Sequence, residues 1–97
     1  MSRYFIITDS PGMTEVIYET SIFEEAYQEY KEAVYETLEY FKERYGEFEM
    51  DQASHDVVKH AAEASGIKIK EVIYSSVFEA KNKDWVIIAL VEGEQED

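Results

Sequence analysis

The sequence predicts a small α+β domain: a four-stranded, mainly antiparallel sheet carrying two helices on one face, in the chain order β-β-α-α-β-β. Three observations predict it. Alternating segments rich in aromatic and β-branched residues lie towards both ends of the chain, a long central stretch repeats apolar residues every three or four positions, and glycine or proline punctuates the breaks. With 97 residues, 45% hydrophobic and 14% aromatic, the chain can bury one core but not two, so residues 1–92 are expected to form one domain.

Residues Arg3 to Thr8 alternate and read as a strand. Ser10-Pro11-Gly12-Met13 places proline and glycine at the two central positions of a type II turn. A second strand follows at Thr14 to Glu19, with Val16 and Tyr18 expected on one face and Ile17 on the other, which makes a hairpin with the first. Ser21-Ile22-Phe23-Glu24 has the form of a capping box and should open a helix. Along that helix Phe23, Tyr27, Tyr30, Val34, Leu38, Phe41 and Tyr45 form one apolar stripe, and Gly46 ends it. A second helix is expected from a cap at Asp51 to Ser65, stopped by Gly66, with Val57, Val58, Ala61 and Ala62 as its apolar side. The chain then turns strand-like from Ile67 to Ala80, turns at Lys81-Asn82-Lys83-Asp84, and returns as Trp85 to Val91. This last strand is apolar on both faces, which fits the centre of a sheet. Residues 93–97 are expected to be an acidic, disordered tail.

No cysteine is present, which removes disulfides, thiolate metal sites and cysteine nucleophiles and places no demand for an oxidising compartment. The apolar run after Arg3 is too short for a signal peptide or a membrane span, so a cytoplasmic setting is expected. The formal net charge of -13 is large for this size, since solubility alone is served by a magnitude of roughly 2–8. It argues against direct contact with nucleic acid or an anionic membrane and for a cationic partner.

Much of that charge is organised. Glu25, Glu29, Glu32, Glu36, Glu39 and Glu43 follow spacings of four and three and fall on one narrow arc opposite the apolar stripe. Spanning eighteen residues at 1.5 Å each, the row is roughly 27 Å long with a carboxylate about every 5 Å. A charge run on the outer side of an amphipathic helix is ordinarily a solvated face. A helix made for solubility, however, tends to place lysine or arginine after glutamate at these spacings and gains ~0.2–0.5 kcal/mol per pair, whereas here glutamate follows glutamate and each pair repels. Only Lys42, three residues after Glu39, offers the row a same-face cation, and Lys31 and Arg44 have no such partner within it. Tyr35 and Tyr40 flank the arc on opposite sides, where a rigid amphipathic ring suits either an interface or an ordinary surface.

In size and charge pattern, over about a quarter of the chain, this row resembles small acidic proteins that imitate a nucleic-acid backbone, many of them phage-encoded inhibitors of host defence. No family motif accompanies the resemblance, and it transfers no residue roles.

Other chemistry is poorly served. His55 and His60, five residues apart on a helix, point about 140° away from each other and do not share a metal, and Asp56 with His60 reads as a surface pair. A straight row of parallel glutamates does not converge on calcium or magnesium. Ser75 and Ser76 lack a nucleophile-elbow context, and each of the four glycines is punctuation rather than part of a phosphate loop. Lys68, Lys70, Lys81 and Lys83 are expected to share one end of the sheet and to guard a strand edge.

The expected function is therefore that of a non-catalytic acidic module binding a basic, nucleic-acid-handling protein through the glutamate row with Tyr35 and Tyr40, using no cofactor or metal. One alternative is a small self-associating structural protein, including a homodimer, which light scattering separates. Another is a small enzyme or ligand-binding fold, which needs a deep pocket with converging polar groups.

Overall fold

The computed structural model of the chain describes residues 2–81 and 83–95. Among them lie five strands and two helices in the order β1 (Arg3–Ser10), β2 (Met13–Thr20), α1 (Phe23–Tyr45), β3 (Phe48–Asp51), α2 (His55–Ala64), β4 (Ile67–Ala80) and β5 (Trp85–Gln95). One antiparallel sheet takes the spatial order β2-β1-β5-β4-β3. No helix of the described residues is long and apolar enough to cross a membrane.

The α+β class holds, with corrections to the strand count, the element order and the layering. The sheet has five strands rather than four, because Phe48-Glu49-Met50-Asp51 pairs with Ala80 back to Val77 as β3. Asp51 thus ends a strand instead of capping a helix. The cap of α2 is Ser54, whose hydroxyl accepts from the Val57 N–H at 3.4 Å. Four residues carry too little periodicity to announce a strand, and pairing with the end of β4 overrides local preference.

The two helices lie on opposite faces of the sheet, not on one. Alternation along β5 sends Ile87, Ala89 and Val91 into a cluster with Val58, Ala61 and Ala62 of α2, while Ile88 and Leu90 join Ala26, Tyr30 and Phe41 of α1. Likewise Phe5 and Ile7 of β1 face α2 and Ile6 faces α1. A central strand apolar on both sides requires a cover on each. Val57, expected on the apolar side of α2, is instead exposed.

Bulges set which residues reach which layer. In the β1–β2 pair Ile6 opposes Tyr18 but Ile7 opposes Val16, so Ile17 is an extra residue. Val16 therefore packs in the α2-side cluster and Tyr18 in the α1-side cluster, correcting their placement on one face. Against β5, β4 skips Lys70 and Ile73, and the two insertions cancel: Ile67, Ile69, Val72 and Val77 all reach the α2 side despite mixed parity.

The expected capping box at Ser21 does not form, and the cap position, Ile22, has no side-chain bond. Thr20 acts in its place: its hydroxyl accepts from the Ile22 N–H at 3.1 Å and donates to Glu25 at 2.9 Å, tying the first turn of α1 to the end of β2. At the other end Gly46 adopts φ 72° and its N–H donates to the Lys42 carbonyl, a conformation open to glycine at little cost. Residues 93–95, assigned above to the tail, belong to β5, while 96 and 97, like Asn82 of the β4–β5 turn, lie outside the described residues. That turn closes through the Ala80 N–H to the Asp84 carbonyl and the Lys83 N–H to the Ala80 carbonyl, each 2.9 Å.

Candidate partner-binding surface

Helix α1 is pinned to the sheet at both ends and in the middle. Phe23 meets Tyr4 edge-on at 5.6 Å. Phe41 contacts the rings of Tyr45, Phe48 and Phe78 at 5.0, 5.6 and 5.6 Å. Between them the Tyr30 hydroxyl shares a 2.7 Å hydrogen bond with Ser76 inside the core, stacked beside Tyr74. These contacts leave the opposite side of the helix facing solvent, and the glutamate row lies there.

Glu25, Glu32, Glu36 and Glu43 are exposed, and Glu29 and Glu39 are half-buried. Among the described residues no glutamate of the row lies within 4 Å of a cationic group. Glu25 is held by hydroxyls alone, accepting from Tyr18 at 3.3 Å and from Thr20. Two of the three cations that α1 itself carries turn to rings instead: the Lys31 ammonium sits 4.5 Å from the Tyr27 ring centre and the Arg44 guanidinium 5.8 Å from that of Tyr45. Lys42 does not pair with Glu39. Tyr35 and Tyr40 are 62% and 53% exposed, Tyr40 resting edge-on against Phe41 and Tyr45.

Three tyrosines around this helix titrate above the ordinary phenol range. Tyr18 is raised by burial and then by Glu25, Tyr30 by burial against an opposing effect from Ser76, and Tyr45 chiefly by its 2.6 Å hydrogen bond to Asp84. Raised folded-state values mean that the stability these groups contribute is full below the unfolded value of about 10 and is lost as pH climbs through the folded values. Tyr30→Phe leaves the Ser76 hydroxyl buried without its partner, at a cost of about 1–3 kcal/mol near neutrality. The gap between wild type and this variant should narrow in urea titrations above about pH 10, and a gap constant with pH would exclude Tyr30 as a source of the alkaline loss.

The remaining sites expected from the sequence are separated in space. Lys68 and Lys70 lie near the start of β4, and Lys81 and Lys83 follow its end, so the lysines occupy opposite ends of the sheet rather than one. Lys81 pairs with Glu47, and Lys70 reaches Ser2 at 3.5 Å. His55 lies 4.0 Å from Asp56, in place of the pair expected between Asp56 and His60. Among the described residues no group of three or more histidine and acidic side chains is placed to hold a metal. An open groove at the β3–β4 end is lined by Phe48, Glu49, Glu79 and Trp85 around the Glu47–Lys81 pair. Sequence reading missed this groove, since β3 was unread, and missed Tyr18 and Thr20 as the anchors of Glu25, since no local spacing links a strand end to a helix turn.

Comparison with protein-family models, with curated proteins and with solved structures finds no match for this chain.

Proposed function

We propose that this protein is a non-catalytic binding module that lays the Glu25–Glu43 row of α1 into a basic groove of a nucleic-acid-handling protein and blocks it, in the manner of a backbone-imitating inhibitor. A cytoplasmic setting belongs to this reading. The observation that carries it is the row without ion pairs: six carboxylates on one helix face, none within 4 Å of a cationic group among the described residues. Each neighbouring pair repels at helical spacing, and the local cations Lys31 and Arg44 are held on rings instead of neutralising the row. A cationic partner relieves that repulsion on binding, and the field of the row steers the encounter.

Self-association through the sheet has less support. The outer edge of β2 carries Glu15, Glu19 and the Ile17 bulge, and the stretch of β4 not covered by β3 carries Lys68, Lys70 and two bulges. Like charges and bulges are the features that keep strand edges from pairing.

The test is affinity capture from a bacterial lysate, eluted along a salt gradient and compared with the Glu32→Lys/Glu36→Lys variant. A nucleic-acid-handling protein should be retained by wild type and released as salt rises, and the variant should bind it at least about tenfold more weakly. Equal affinity for wild type and variant would reduce the row to a solvated face.

A further inference from the structure

Resting on that proposed function, we infer that the groove this helix occupies is one built for single-stranded nucleic acid rather than for a duplex. The row is a single file. At 100° per residue the six glutamates span an arc of about 80°, which at a radius of about 5–6 Å is a strip roughly 7 Å wide and 27 Å long. A duplex shows a protein two phosphate rows, one on each side of a groove about 6 or 12 Å wide. The other helix supplies no second row: α2, on the far face of the sheet, mixes His55, Asp56, Lys59, His60 and Glu63. One strip of charge stands for one strand.

The tyrosines supply what else a single strand offers. Tyr35 and Tyr40 are largely exposed and project from opposite flanks of the strip, about 80° and 60° from its midline. A single strand likewise carries flat rings beside a line of charge, and its binding grooves pair a cationic track with aromatic side chains that stack on successive bases. An exposed phenol ring can take the place of a base on such a side chain. A duplex keeps its bases stacked inside and gives these two rings no counterpart.

The experiment is displacement. Bacterial lysate is loaded on immobilised oligothymidine and, in parallel, on immobilised duplex DNA, and each column is washed with this protein, with Glu32→Lys/Glu36→Lys, or with Tyr35→Ser/Tyr40→Ser. Circular dichroism confirms that the variants are folded, as substitutions at exposed positions allow. The expected result is release of bound proteins from oligothymidine by wild type, at least about tenfold less release by either variant, and little release from the duplex. Equal or greater release from the duplex would overturn the single-strand assignment while leaving backbone imitation standing. A tyrosine variant as effective as wild type would overturn it too. Release from neither column would remove the proposed function itself, and the inference with it.

Discussion

Phe41→Ala should lower the melting temperature by roughly 12–40 °C, the largest effect expected from any single truncation on α1. Phe41 is buried and sits at the centre of an aromatic group that ties α1 to β3 through Phe48 and to β4 through Phe78. Removing a buried phenylalanine ring costs about 3–5 kcal/mol through lost transfer energy and the cavity left behind. For a domain of this size each kcal/mol corresponds to about 4–8 °C. Against a total stability of about 5–15 kcal/mol the variant keeps little margin at 37 °C. Thermal unfolding followed by circular dichroism measures it, with Tyr35→Ala as the exposed comparison expected within about 0.5 kcal/mol of wild type. Similar shifts for the two would mean that the Phe41 cluster does not anchor the helix. Because Glu39 and Glu43 ride on the turns that Phe41 holds, loosening them should also blur the far end of the glutamate row.

Gly93→Ala should destabilise by about 1–3 kcal/mol, or roughly 5–20 °C, although alanine would be innocuous at an ordinary strand position. A methyl group at residue 93 would stand 2.4 Å from the Lys68 carbonyl oxygen and 3.2 Å from its carbon, with the Ile67 side chain at 3.3 Å. The nearest obstacle is backbone, so strand β4 must move as a unit, just ahead of its bulge at Lys70. Gly93 is buried between β1 and β4, paired with Arg3 and Ile69, and its role is to let strands approach. A melting temperature within a degree or two of wild type would show that the start of β4 shifts freely.

Gly93 also marks where sequence reading stopped short. In a run of glutamates it reads as tail punctuation, yet the strand continues through it, because pairing on both sides stabilises a segment whose own composition does not favour a strand. The same holds for β3, whose four residues acquire a strand conformation only from the end of β4. The bulges at Ile17, Lys70 and Ile73 are equally silent locally, although one inserted residue moves every later side chain to the other face. Candidate-site residues were legible in another sense: the glutamate arc and its flanking tyrosines lie on the solvent side of α1, as their spacing implies. Their surroundings were not, since Thr20 and Tyr18 reach Glu25 from a strand, and Lys31 and Arg44 settle on rings that spacing alone does not single out.

What the sequence by itself determined is what repeats locally. The three-and-four spacing set the length of α1 and separated its apolar and acidic faces, the bounds of β4 followed from its β-rich run between Gly66 and Lys81, and apolar residues on both sides of Trp85 to Val91 placed β5 at the centre. These patterns are legible because the period of the backbone is fixed within a few residues. Only the tertiary structure decided strand order, the fifth strand, the bulges and the placement of the two helices on opposite faces. Those depend on which surfaces find one another across the chain, where a two-sided apolar strand is covered only when one helix packs on each side.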